Sequence, residues 1–401
     1  MVIAGEASGD LLAAELVEAL RRESAAAQAI VTPDYQPLQA SLEPRFFGAG
    51  GPRMAAAGVE LMCELTAHSV IGVSDVTKHY LAFRRWFRQL FRLALEREPD
   101  AIIGVDFSVF NHRFARAVRG YARARQDWFH DWKPKLIKFV SPQVWASREG
   151  RAYQMAEDLD LLLSIFPFEQ AWYAKRVPRL KVEFVGHPML DRYDAAPPAC
   201  PAALVPLLLL PGSRVKELTR HLPVLLGALE LMRKAVPELR ARMVLPEQGL
   251  AEQVRNYRPP DWLEIQVGGL AQALQGATVA IASTGTVTME CAYFGVPTVA
   301  LYKTSWSTYQ IGKRLVTVRF LAMPNLLADQ EVFPEFIQGA ATAENLSRAA
   351  LGLLQSESRR GEIKAKLAGI IASLGGPGAT RRAAQAILRV IQAAEPAHGS
   401  R

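Results

Sequence analysis

Short, unbroken apolar runs alternate with longer amphipathic stretches along the whole chain, and this alternation restricts the fold more than any other feature. Leu161–Ile165 reads Leu-Leu-Leu-Ser-Ile, and Val205–Leu210 reads Val-Pro-Leu-Leu-Leu-Leu. A strand with one wet face alternates apolar and polar residues. A run without that interruption fits a parallel strand covered on both faces. Strands are predicted at Met1–Ala4, Phe46–Gly48, Ala101–Val105, Leu136–Val140, Leu161–Ile165 and Val182–Val185. A second set is predicted at Val205–Leu210, Arg242–Leu245, Leu263–Val267, Val279–Ala282 and Thr298–Tyr302. Helical patterns between them make repeated βαβ units. A length of 401 residues exceeds one ordinary core. The Pro- and Ala-rich stretch 191–206 is the expected linker, between a domain of residues 1–190 and one of 207–380. A terminal helix and frayed tail are expected over 381–401.

Composition narrows the chemistry. Cys63, Cys200 and Cys291 show no CxxC spacing and the seven histidines are scattered, so neither a disulfide scaffold nor a metal site is expected. The net charge of +8 points to anionic partners. No secretion signal opens the chain and no run approaches the roughly 20 apolar residues of a spanning helix, which predicts a cytoplasmic location. The first strand is short for a central one, which suggests that Met1 falls inside it.

The residues that carry chemistry cluster where strands end. Leu208–Glu217 runs from a strand through Gly212, Ser213 and Arg214 into a helical pattern. The guanidinium fork and first-turn amides suit a diphosphate. Farther on, Ser283, Thr284, Gly285 and Thr286 form a second turn, with Glu290 placed to accept from ribose hydroxyls. In the first half, Gly5–Asp10 follows the opening strand. It reads either as a ligand loop, with Glu6, Ser8 and Asp10 available, or as a tight turn with Ser8 or Asp10 as helix cap. Asp106 stands at a strand end, as a general base or as a structural cap. Trp145 either lines the pocket or packs. Asn325, Gln330 and Glu331, in an irregular stretch, reach the ligand or cap the surface.

Tyr80–Arg92 carries Phe83, Phe87, Leu90 and Phe91 on one helical face, with Trp86 nearby. Arg84, Arg85, Arg88 and Arg92 lie off that face. Such a helix suits an anionic lipid surface, or a core with a solvated basic side. Nucleic acid is not expected, because no matching basic track or binding motif accompanies it.

These stretches resemble lipid-A-disaccharide synthases nearly end to end. The matching segments are Ala4–Asp10, Phe46–Met54, Val73–Val76, Ile103–Asp106, Val140–Ala146, Phe166–Glu169, Val185–Asp191, Leu209–Arg214, Ala282–Val299 and Pro324–Ala328. The resemblance implies an α/β fold of two Rossmann-like, doubly wound parallel-sheet domains facing a cleft, the GT-B architecture. It implies an inverting transfer without metal or cofactor, from UDP-2,3-diacylglucosamine to 2,3-diacylglucosamine 1-phosphate (lipid X). The products are the disaccharide 1-phosphate of lipid A assembly and UDP. A peripheral place on the cytoplasmic face of the inner membrane, and a homodimer, are further implications. Asp106 then matches the catalytic carboxylate, Arg214 the phosphate-binding arginine, and Glu290 and Asn325 donor-side positions.

Three departures stand out. Val109 replaces a second aspartate of the family pattern, Ser147 stands where a tryptophan is usual, and Asp127–Lys133 extends a loop. Loss of Asp106 as base would leave Glu6, Asp10 or His112. A UDP-sugar 2-epimerase of the same fold, and an inactive nucleotide- or lipid-binding homologue, are the rival readings.

Overall fold

The structure, a computed structural model, describes residues 1–29, 43–65, 76–126, 131–193 and 205–393. The chain divides into two compact units: Met1–Asp194 with Leu374–Arg401, and Ala195–Ser373. Most of the linker stretch, residues 73–75 and 127–130 of the matches and extension named above, and the tail from 394 lie outside the described residues.

The first unit holds a seven-stranded, wholly parallel sheet in the order β3-β2-β1-β4-β5-β6-β7. In chain order these are β1 (Val2–Ala4), β2 (Phe47–Gly50), β3 (Glu60–Glu64), β4 (Ala101–Val105), β5 (Lys135–Phe139), β6 (Leu161–Ser164) and β7 (Val182–Phe184). Its helices include α1 (Ala7–Ala29), α2 (Pro52–Ala56), α3 (Val76–Arg97), α4 (Ser108–Ala124), α5 (Arg151–Asp158) and α6 (Pro167–Arg176). Every residue of β1, β4 and β6 is buried, which accounts for their unbroken apolar character.

The second unit is a six-stranded parallel sheet in the order β10-β9-β8-β11-β12-β13. Its strands are β8 (Val205–Leu210), β9 (Ala241–Leu245), β10 (Leu263–Val267), β11 (Ala277–Ser283), β12 (Thr298–Tyr302) and β13 (Glu335–Ile337). The Val215–Ala235 helix buries Leu218, Leu222, Leu225 and Leu229 in its core.

Both sheets reverse their strand order at one place, between β1 and β4 in the first unit and between β8 and β11 in the second. Ligands of open parallel sheets bind outside the carboxyl ends of strands at such a reversal, because the loops there diverge. Register brings the two strand ends level at each reversal: Ala4 pairs with Val105, and Leu210 with Ala282.

Besides the linker, the chain crosses between units a second time, near Leu374. The Ala379–Gln392 helix therefore belongs to the first unit, where it packs on α1. Asp191 ends the Val185–Asp191 motif and receives this returning segment by accepting from the amides of Gly378 (2.6 Å), Ala379 (3.0 Å) and Thr380 (2.8 Å). His187 adds a bond from its amide to the Leu374 carbonyl, and Arg382 donates to the Val185 carbonyl.

Candidate active site

In the second unit the β8 and β11 ends each open into a helix. Gly212 holds φ +119°, and a Cβ there would meet the Glu217 Oε2 atom at 2.7 Å, so the turn requires glycine. Ser213 and Arg214 are exposed, and the Arg214 guanidinium lies 3.5 Å from the Glu217 carboxylate. The amides of Val215 and Lys216 precede Glu217, the first residue whose N–H donates within the helix (to Arg214 O), and give the helix start its positive character. Beside them, exposed Gly285 and Thr286 lead into the Thr286–Tyr293 helix, on which half-buried Glu290 sits one turn in. Half-buried Thr284 donates its amide to Leu301. Ser283 differs from its neighbours. It is buried, and its hydroxyl turns back toward the Thr284 carbonyl at 3.4 Å.

Asn325 has a different role from the one expected. Its side chain is fully buried and saturated: Nδ2 donates to Phe333 O (2.7 Å) and Glu335 Oε1 (2.8 Å), while Oδ1 accepts from the Val332 and Phe333 amides. An amide offers two donor hydrogens and two acceptor lone pairs, all engaged here. Asn325 thus organises the 325–335 turn on which Gln330 and Glu331 are exposed. Glu335 reinforces the turn by accepting from the Leu321 and Ala322 amides, and burial pushes its carboxyl above the usual range.

Sequence reasoning missed His221. Fully buried, it bonds through Nδ1 to the Pro211 carbonyl at 2.7 Å, and its Nε2 accepts from the Lys303 amide at 3.0 Å. The neutral ring, protonated at Nδ1, satisfies both contacts. It ties the β8 turn to the end of β12, and burial holds its pKa below the usual histidine range. The signal was its spacing, since Leu218, His221, Leu222 and Leu225 form one buried helical stripe.

In the first unit the ends of β1 and β4 lie together. Asp106 (φ +46°) and Phe107 (φ +44°) both adopt the left-handed region, rare for non-glycine residues. The Phe107 ring covers Gly5 so closely that a Cβ there would lie 2.3 Å from it. Gly9, in the first turn of α1, is 3.5 Å by the same measure from the Asp106 Cβ. Glu6 is half-buried and Ser8 exposed, which leaves both beside the strand end.

Of the two readings for Asp10, ligand residue or helix cap, the contacts fit a cap, though of α2 and not of its own helix. Its buried carboxylate accepts from the amides of Gly51 (2.7 Å), Met54 (3.1 Å) and Arg53 (3.0 Å), so it caps α2. These three bonds take up most of the carboxylate's acceptor capacity and turn it toward α2. His112 lies 4.0 Å from Asp158, which also holds Arg116, and burial lowers its pKa. Val109 is 51% exposed on α4, so Asp106 is the carboxylate this strand end offers.

Trp145 is buried and donates to Glu169 at 2.9 Å, which joins the Val140–Ala146 and Phe166–Glu169 motifs. Burial pushes the Glu169 carboxyl up to about 7. The aromatic face of α3 also turns inward. Phe87 packs on Phe110 and Phe114 with ring centroids 5.6 and 5.5 Å apart, Phe91 packs on Phe114 and Tyr121, and Phe83 meets Trp86, Phe107 and Phe110. Of the two readings for this helix, the packing fits the core one, with Phe83, Phe87 and Phe91 half-buried against α4. Arg84, Arg85, Arg88 and Arg92 remain exposed and with Gln89 line a surface hollow of about 210 Å³. Among the described residues, no helix is long and apolar enough to cross a membrane.

Two doubly wound parallel sheets, each with a loop pair at its reversal, make up the GT-B fold. Solved structures share this fold at low identity: the calicheamicin glycosyltransferase CalG4 (TM-score 0.58, 16% identity, 98% of both chains) and a putative UDP-N-acetylglucosamine 2-epimerase from Listeria monocytogenes (TM-score 0.59, 14% identity, 97% of this chain and 94% of that one). Sequence separates the activities within the fold. The family model described as lipid-A-disaccharide synthetase matches residues 1–390. Lipid-A-disaccharide synthases of Solibacter usitatus and Geobacter metallireducens are 36% and 33% identical, each over 98% of this chain and 97% of theirs. The chain belongs to the lipid-A-disaccharide synthase family, and it is a glycosyltransferase of lipid A biosynthesis.

Proposed function

We propose that the enzyme transfers 2,3-diacylglucosamine from its UDP donor to lipid X in one in-line displacement with inversion. Asp106 takes the proton of the acceptor 6-hydroxyl as that oxygen attacks the anomeric carbon, and the bond to UDP breaks. Arg214 and the amides of Val215 and Lys216 receive the charge that builds on the departing diphosphate, where prearranged donors act most strongly. Glu290 accepts from the ribose. Asn325 serves indirectly, by holding the turn that carries Glu331. The reaction runs at the cytoplasmic face of the inner membrane, with the α3 arginines toward anionic headgroups.

The observation that carries this reading is the pairing of strand ends, which sets the Arg214 turn beside Gly285–Thr286 and Gly5 beside Asp106. Release of UDP in the presence of both lipid sugars tests it. Arg214→Ala should lower turnover about 10²-fold with folding intact. Asp106→Asn should abolish transfer while UDP still binds. Near-normal turnover in either variant removes that residue from the mechanism, and UDP-sugar epimerisation without the acceptor would replace the reading.

A further inference from the structure

Lys138 is the residue that the transfer reading leaves unused and the structure makes conspicuous. It lies on β5, opposite Gly104 of β4, and is only 4% exposed. A lysine ammonium so placed loses its hydration, a cost that folded chains rarely carry without a compensating contact. The contact is specific, for Nζ donates to the carbonyl oxygen of Asp106. Asn111 Nδ2 donates to the same oxygen at 2.9 Å, and the Asp106 amide donates to Phe139 at 3.0 Å.

The peptide these groups grip is the strained one. Two successive non-glycine residues in the left-handed region cost on the order of 1–3 kcal/mol each and persist only where their surroundings over-determine them. Phe107 is fixed from outside by Gly5 and by its stack on Phe110, at 5.2 Å between centroids. Lys138 and Asn111 fix Asp106 from beneath. Relief of the left-handed φ at Asp106, which these donors oppose, would turn its Cα–Cβ bond and with it the carboxylate.

We propose that Lys138 is a positioning residue for the transfer, its ammonium holding the Asp106 carbonyl so that the carboxylate is aimed at the acceptor hydroxyl. The proposal rests on Asp106 being the base. A charged donor holds a carbonyl more firmly than a neutral amine, which makes the grip dependent on protonation. Burial brings the Lys138 pKa down to about 8, with Asp106 opposing the fall. The titratable groups facing Lys138 are Asp106 at the β4 end and His112, which lines the same small hollow from α4. Its strand neighbours Gly104 and Leu162 carry no charge. That hollow, also lined by Asn111 and Ser108, measures about 20 Å³, room for about one water molecule or the extra bulk of an arginine.

The test is the pH profile of kcat for the wild type, Lys138→Gln and Lys138→Arg, with Asp106→Asn run alongside. The wild type should lose kcat as pH rises through about 8. Lys138→Gln should fall about 10²-fold in kcat, the cost of a misaimed group. Its KM for the UDP-sugar should stay unchanged and the alkaline limb should vanish. Lys138→Arg should recover kcat and carry it to higher pH. A Gln variant with wild-type kcat and profile, beside an inactive Asp106→Asn, overturns the proposal and leaves the base in place. If Lys138→Gln does not fold by circular dichroism, the arginine variant decides, and a limb still near 8 in that variant overturns the proposal. An active Asp106→Asn overturns both readings.

Discussion

Asp191 holds Thr380 through two hydrogen bonds, accepting from its amide at 2.8 Å and its hydroxyl at 2.7 Å across 189 residues of chain. With Gly378 and Ala379 bound to the other carboxylate oxygen, the start of the Ala379–Gln392 helix is capped by a side chain from the far end of the first unit. Asp191→Ala should destabilise this unit by about 2 kcal/mol, the upper end for a lost cap. Thermal denaturation measures the loss, and UDP binding to the second unit should be unaltered. A midpoint equal to that of the wild type would show that the helix docks without its cap.

His221 gives a second prediction. Its two bonds need the neutral ring, and its folded pKa lies below the unfolded value of 6.5. Below that value the unfolded chain takes up a proton that the folded chain resists. The contribution to stability is therefore complete above 6.5 and lost as pH falls through the depressed value. His221→Ala should weaken UDP binding roughly 10-fold, since the Pro211 turn and the Lys303 amide lose their common tie. Calorimetric titration with UDP checks this, and unchanged affinity would separate the tie from the nucleotide site.

Glu169 moves in the opposite direction. Burial raises its folded pKa from 4.5 to about 7, so between those values the folded chain retains a proton that the unfolded chain has released. Its contribution to stability is present below 4.5 and fades as pH rises through about 7. Glu169→Gln keeps an acceptor for Trp145 and does not ionise. The melting temperature of the wild type should fall relative to this variant across that window, and parallel curves would contradict the assignment.

Much of the architecture was legible because burial on both faces leaves a mark in the sequence: Leu207–Leu210 and Leu161–Leu163 are almost wholly buried and nothing polar interrupts them. The two strands that went unseen lie at sheet edges. β3 reads Glu-Leu-Met-Cys-Glu with every second residue exposed, and β13 has three half-buried residues. The Arg214 and Thr286 turns could be read because small residues after an apolar run have few other uses. Side-chain direction could not. Asp10, Asn325 and His221 are polar residues on helices, and only tertiary contacts reveal that Asp10 and Asn325 face the fold while His221 ties two loops together. The return of the chain at Leu374 left no local trace, since a helix that docks on its own unit looks like one that docks on another.

The same ambiguity governs α3, where an apolar stripe beside a basic one describes a lipid-facing helix and a core helix equally well. The ring contacts of Phe87 and Phe91 pack the apolar stripe on α4, and the arginines stay exposed. The two stripes should therefore separate experimentally. Phe87→Ala should cost about 2–3 kcal/mol of stability through the cavity it leaves. Replacing Arg84, Arg85, Arg88 and Arg92 with serine should preserve the stability to within about 1 kcal/mol, because exposed charges contribute little to folding. That variant should lose flotation with vesicles containing anionic lipid, at about 1 kcal/mol per arginine near the surface, and the wild type should lose it progressively with salt. Flotation that survives the four serines and fails with Phe87→Ala at full stability would return the aromatic face to the membrane.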